Sequence, residues 1–253
     1  MAIDRRTLLH AAVATIAAPT LGRARAADTP TIKAVAFDAF AVFDPRPIAA
    51  LAERQFPGQG AALTNLWRTR QFEYAWLRTL MRRYVGFWQV TQEALVFAAE
   101  SLKLDLRADQ RAQLMQAYLD IKAWPDALPA LRALRDAGIR MALLSNFSAP
   151  MLDAGVANSG LQGLFEPHLS TDRVGAYKPD PRAYRMAVDA FGALPEEILF
   201  VAFGGWDAAG AKAFGFPTFW VNRQDARAEE LGVAADAVGG TLRDVVNHVV
   251  RLT

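Results

Sequence analysis

The chain has 253 residues, of which 53% are apolar and 21% charged, with a mean hydropathy of +0.09. That composition excludes a disordered chain, and the length suits one large α/β domain or a core domain carrying a smaller insert. A net charge of only +2 and the absence of cysteine exclude a strongly basic nucleic-acid binder, a disulfide scaffold, a thiolate nucleophile and a cysteine-held metal.

The N-terminus reads apart from the rest. Arg5-Arg6 and Thr7-Leu8-Leu9 lead into an apolar run that ends at Leu21, and Ala24-Arg25-Ala26 follows before Ala27. This is the order of a bacterial export signal, and the paired arginines point to the twin-arginine route, which carries folded proteins. The run is shorter than the roughly 20 residues needed to span a bilayer. Residues 1–26 are therefore expected to be removed, leaving a soluble periplasmic protein with no membrane attachment. A cytosolic protein with an amphipathic N-terminus is the rival reading. Removal takes away Arg5, Arg6, Arg23 and Arg25 along with Asp4, so the mature chain carries about −1 at neutral pH. The sequence pI of 9.0 is thus no argument for nucleic-acid binding.

Residues 31–37 form a β-rich apolar run ending on Asp38, and Phe43-Asp44-Pro45-Arg46-Pro47 breaks any regular element after it. From 48 to 119 the apolar residues recur at three and four spacing, through Leu63, Trp67, Phe72, Leu77, Leu80 and Tyr84 and on to Tyr118, with no strand signal between. A helix over 130–137 stops at Gly138, and a buried strand over 141–144 ends on Ser145-Asn146. Further along come a helix from Pro181 to Phe191, a strand over 198–201 leading to Gly204-Gly205, a helix over 206–214 and a strand from Thr218 to Val221. Alternating strands and helices predict an α/β fold with a doubly wound parallel sheet, and the helical block predicts an inserted all-α cap. The cap spans 47–119, and the core is assembled from 27–46 and 120–253.

In such a sheet ligands bind at the carboxyl ends of the strands. Asp38, Ser145, Asn146, Lys178 and Asp207 all fall at strand ends or in adjoining loops. Singly, each is an ordinary turn, cap or loop residue. Together they place an amine between two acids, which keeps both ionised, so that one can attack carbon while the other takes a proton from water.

Five segments carry a family resemblance: Phe37-Asp38-Ala39-Phe40; Leu66-Trp67-Arg68 followed by Gln71-Phe72-Glu73-Tyr74-Ala75-Trp76-Leu77-Arg78; Leu144-Ser145-Asn146; Tyr177-Lys178-Pro179-Asp180; and Trp206-Asp207-Ala208 with Gly215-Phe216-Pro217-Thr218. The chain after the export segment resembles the haloacid dehalogenase superfamily, and within it the L-2-haloacid dehalogenases. Phosphatases of that superfamily carry a second Asp two positions after the nucleophile and a further acid that helps hold Mg²⁺. Here the first position is Phe40, and Gly204 and Gly205 precede Asp207, which leaves few carboxylates for the oxygen shell that Mg²⁺ prefers. No metal and no cofactor are expected.

The resemblance implies a role for each residue. Asp38 attacks the halogen-bearing carbon of a small haloacid with inversion and forms an ester. Water then cleaves that ester with Asp207 as activator, and Lys178 holds both carboxylates. Arg68 reaches from the cap to the departing halide with Asn146, while Ser145 and nearby backbone N–H groups hold the substrate carboxylate. Phe40, Phe72, Phe87 and Trp206 form the apolar wall, for which ordinary core packing is an equal explanation. Tyr184 orients Lys178. A homodimer is suggested by analogy alone.

Two loops depart from the family pattern. Ala41-Val42 stands where Gly-Thr is usual, and Ala202 and Gly204 stand where a Ser and an Asn help place the aspartate and the hydrolytic water. Each lost donor can be worth a few kcal/mol of barrier, so the second half-reaction is expected to be slower. His10, His168 and His248 are too scattered for a metal site or a Ser-His-Asp triad, and Gly204-Gly205 lacks the context of a phosphate loop. Arg78, Arg82 and Arg83 read as a solvated helix face. Three readings stay open: a hydrolytic 2-haloacid dehalogenase, a phosphatase of the same fold, and a periplasmic small-acid binder impaired in turnover.

Overall fold

The structure, a computed structural model, describes residues 31–166 and 168–252; the expected export segment, residues 1–26, lies outside them.

The sheet is built around one short, wholly buried strand. β1 (Ala34–Phe37) is apolar throughout because both of its faces are covered. β2 (Arg140–Ser145) pairs with it in parallel on one side, and β3 (Leu169–Ser170) extends that side. On the other side stand β4 (Ile198–Ala202), β5 (Thr218–Val221) and β6 (Ala237–Gly239), again all parallel. The order β3-β2-β1-β4-β5-β6 makes β1 the point from which the chain winds outward both ways. A crevice opens at such a point, at the carboxyl end of the strands.

α1 (Ala39–Val42) is a single turn directly after Asp38. The four helices that follow are α2 (Arg46–Gln55), α3 (Gly60–Leu80), α4 (Phe87–Ser101) and α5 (Ala108–Leu119). In α3 the residues Leu63, Trp67, Gln71 and Ala75, four apart, are buried, and the helix packs along α4 and α2. The entry into α3 is tight: a side chain at Gly60 would put its Cβ 2.3 Å from the Glu53 Cα. Arg78, expected on a solvated face, instead donates to Glu93 at 2.5 Å and ties α3 to α4.

The remaining helices are α6 (Ala127–Asp136), α7 (Ala149–Asn158), α8 (Pro181–Phe191), α9 (Gly205–Phe214) and α10 (Leu242–Val250). Successive side chains of β1 point to opposite faces. Val35 and Phe37 join Leu131 and Leu134 of α6, Leu152 and Val156 of α7, and Val245 and Val249 of α10 in one layer. Ala34 and Ala36 join Tyr184 and Ala187 of α8 with Ala208 and Ala211 of α9 in the other. The fold is therefore a doubly wound parallel sheet with an inserted all-α cap, as expected. Periodicity does not mark β3, which is two residues long, or the short edge strand β6. Among the described residues, no helix is long and apolar enough to cross a membrane.

Candidate active site

The sheet register carries Asp38 to its place. Phe37 stands opposite Leu143 of β2 and Val201 of β4, and the Asp38 N–H donates to Val201 O at 2.9 Å. The side chain then turns back over α1, where Oδ2 accepts from the Phe40 N–H at 3.0 Å. Oδ1 accepts from Lys178 Nζ at 2.8 Å.

Lys178 is 1% exposed, and each of its ammonium hydrogens has an acceptor: Asp38 Oδ1, Asp207 Oδ2 at 2.6 Å and Leu144 O at 3.3 Å. Its backbone N–H is held by Asn146 Oδ1 at 3.0 Å. Burial alone would drive the lysine toward neutrality, but the charges and hydrogen bonds of Asp207 and Asp38 outweigh it and hold the pKa above its ordinary value. The amine is a fixed cation between two carboxylates.

Asp207 sits in the first turn of α9 and is 1% exposed. Burial raises its pKa to about 6, helped by the charge of Asp38 and opposed by Lys178 and by the Tyr184 hydroxyl. Tyr184 departs from its expected role. Its hydroxyl donates to Asp207 Oδ1 at 2.8 Å, not to Lys178, and the ring lies buried among Phe200, Phe214 and Phe216, away from the cavity. It steadies Asp207 from outside the cavity.

A cavity of about 450 Å³ opens above these groups between sheet edge and cap, and Asp38, Ser145, Asn146 and Asp207 line it. Phe40, Phe72, Phe87 and Trp206 line it as well, and Phe87, 1% exposed, also packs into the main core. Phe72 and Trp206 meet at 5.0 Å between ring centres, and Phe40 meets Phe147 at 5.1 Å. Ser145 Oγ accepts from the Phe147 N–H at 3.1 Å, which leaves its proton available. Asn146 Nδ2 is buried and has no hydrogen-bond partner among the described residues. Arg68 lines the cavity from α3, but its side chain is exposed and its one hydrogen bond is a long one to Gln224, 3.4 Å. Among the described residues, no group of three or more His, Cys, Asp or Glu could hold a metal.

The departures have a structural side. Val42 and Ala202 are fully buried. At Gly204 a Cβ would come within 2.9 Å of Trp206 Nε1, so any larger residue there must displace the indole that walls the cavity.

Sequence reasoning missed several lining residues. Phe203 directly follows β4 and Phe147 stands two residues past β2, so strand-end position alone would have found them. Arg223 carried no such signal. Its guanidinium reaches Asp126 at 3.0 Å and lies 4.5 Å over the Trp124 ring, whose Nε1 donates to Phe40 O at 3.0 Å. Gln71 and Tyr118 also face the cavity, at helical positions that read as core.

Comparison with known proteins agrees with this geometry. A family model described as a haloacid dehalogenase-like hydrolase matches residues 5–215. The chain belongs to the haloacid dehalogenase-like hydrolases. An (S)-2-haloacid dehalogenase of Pseudomonas sp. (strain YL) is 44% identical, covering 85% of this chain and 93% of its own length. The haloacetate dehalogenase H-2 of Moraxella sp. (strain B) is 41% identical, with coverages of 87% and 98%. A solved L-2-haloacid dehalogenase from Xanthobacter autotrophicus with chloropropionic acid covalently bound is 38% identical, covers 87% of this chain and 99% of its own, and has a TM-score of 0.80. The long helix α3 supplies Trp67, Arg68, Gln71, Phe72 and Trp76 to the cavity wall, facing Asp38 and Asp207 at the sheet edge.

Proposed function

We propose that this member of the haloacid dehalogenase-like hydrolases converts short 2-haloacids, such as haloacetate or (S)-2-haloalkanoates, to 2-hydroxyacids through an ester on Asp38. The observation that carries the reading is Lys178, bridging two buried carboxylates beneath an aromatic cavity, with Phe40 in place of an acid two positions after Asp38. A carboxylate oxygen of Asp38 forms a bond to the halogen-bearing carbon as the carbon–halogen bond breaks, and the electron pair leaves on the halide. Backside approach inverts that carbon.

Either oxygen left as the ester carbonyl already has a donor: Lys178 Nζ for Oδ1, the Phe40 N–H for Oδ2. These donors stabilise the negative charge that develops when water adds to the ester carbon. Asp207, raised to about 6, is ionised at neutral pH and takes the proton of that water. Collapse breaks the acyl–oxygen bond, restores the Asp38 carboxylate and frees the hydroxyacid. The relative with covalently bound chloropropionic acid supports the covalent step. Ser145, Asn146 Nδ2 and Arg68 are the donors suited to the anionic ends of substrate and product.

The assay is halide release from chloroacetate or 2-chloropropionate with a chelator present, for wild type and Asp38→Ala. Release by the wild type alone is the expected result. Loss of release on chelation, with phosphate release from a generic ester in its presence only when Mg²⁺ is added, would instead support a phosphatase. We further propose export, supported by Arg5-Arg6 and the apolar run after them. Sequencing the N-terminus of protein recovered from the periplasm should begin at Ala27, and retention of Met1 in a cytosolic fraction contradicts export.

A further inference from the structure

The cap side of the cavity holds a short hydrogen-bond chain whose last proton has no acceptor among the described residues. Thr91 Oγ1 lies 2.7 Å from Phe87 O and 2.7 Å from the Gln71 side-chain amide. A hydroxyl carries one proton, and Phe87 O can only accept, so Thr91 donates there and turns a lone pair toward Gln71. The Gln71 atom facing Thr91 must therefore be the NH₂ group, an assignment that follows from proton accounting. The same NH₂ donates to the Tyr118 oxygen at 3.3 Å. Tyr118 thus accepts within the protein, and its own O–H proton meets no acceptor among the described residues.

The residue that carries that proton lines the cavity. Tyr118 is 5% exposed and is the one tyrosine of the chain's five that lines it. Its ring is fixed between Trp67, 5.4 Å away, and Phe147, 6.1 Å away. Burial raises its pKa to about 12 while the positive charge of Arg68 pulls the other way, so at neutral pH it is a protonated donor beside a cation. Asn146 Nδ2, a second unpartnered donor, lines the same space. Gln71 Oε1 is unpartnered too, but an acceptor repels anions, so the hydroxyl and not the amide is the binding element.

We propose that the Tyr118 hydroxyl is an anion-binding donor of the active-site cavity, donating a hydrogen bond to the substrate carboxylate or to the departing halide. The inference rests on the reading that this cavity takes haloacids. The test is Tyr118→Phe, which keeps the ring and removes only the donor, checked for folding by its melting temperature. Bromide and acetate are titrated into wild type and variant, and KM and kcat are measured with chloroacetate.

Loss of a hydrogen bond to an anion predicts roughly ten-fold weaker binding of at least one of the two ions and a KM raised about ten-fold. Weakening of bromide alone assigns the donor to the halide, and weakening of acetate alone assigns it to the carboxylate. Unchanged binding of both ions in a folded variant overturns the proposal. Should Tyr118→Phe fail to fold, wild-type protein with tyrosine isotope-labelled at Cζ gives a second reading: one of the five resonances moves on adding bromide or acetate, and no movement overturns the proposal. Absence of halide release by the wild type defeats the dehalogenase reading instead, and the ion titrations still decide the role of Tyr118.

Discussion

Replacing Lys178 with methionine keeps the length of the side chain and removes the cation that holds Asp38 at 2.8 Å and Asp207 at 2.6 Å. Two acids are then left facing one another, one of them 1% exposed and already raised to about 6 with the lysine in place. Removing one partner from a buried ion pair costs roughly 3–5 kcal/mol. In a domain of this size that lowers the melting temperature by about 10 °C.

The pH dependence gives the prediction its edge. Lys178 has a raised folded pKa, so its contribution is fully present below its ordinary 10.5 and is lost as pH rises through the folded value. Asp207 is also raised: its protonated form favours the fold, an effect present below its ordinary 3.8 and lost as pH rises through about 6. Without Lys178 the carboxylate pKa rises further, and a proton can do part of the cation's work. The Lys178→Met deficit should therefore be largest near pH 8 and shrink toward about pH 5. Thermal melts by circular dichroism at the two pH values, with halide release measured alongside, test this. Equal melting of variant and wild type at both, or a deficit that grows in acid, refutes the reasoning.

Asp207→Asn removes the base but leaves the attacking group, so one equivalent of halide should appear in a burst, with an ester mass retained on the protein by intact mass spectrometry. In wild type, kcat should fall as pH drops through about 6, where Asp207 takes a proton, and a flat profile there excludes it as the base. Tyr184→Phe deletes a hydrogen bond that lowers the Asp207 pKa, so this acid limb should move to higher pH while KM changes little. Gly204→Asn, which introduces the family's usual residue, should raise KM several-fold, because even its Cβ meets Trp206 at 2.9 Å; unchanged KM would show that the indole yields freely.

How legible all this was differs by element. β1, α8 and α9 follow from sharp local signals: an apolar run closed by Asp38, Asp180-Pro181 opening a helix, Gly215 closing another. The cluster at the sheet edge was legible because strand-end placement is a rule of the fold, and Asp38, Lys178 and Asp207 converge as expected. The partner of Tyr184 was not legible. Whether a hydroxyl beneath two carboxylates and an amine faces one or the other depends on the turn that α9 takes, which no spacing encodes. Arg223 and Tyr118 escaped for a related reason, since each reads as an ordinary residue until distant segments bring Asp126, Trp124 or Gln71 beside it.

The covalent role of Asp38 is tested most directly by turnover of 2-chloropropionate in water enriched in heavy oxygen, with enzyme in excess, followed by mass analysis of the peptide that contains Asp38. Attack of water on the ester carbonyl predicts that the heavy oxygen enters the Asp38 carboxylate and that the first hydroxyacid formed carries none. Heavy oxygen in the hydroxyacid with an unlabelled Asp38 would mean that water displaces the halide directly, and would contradict the account.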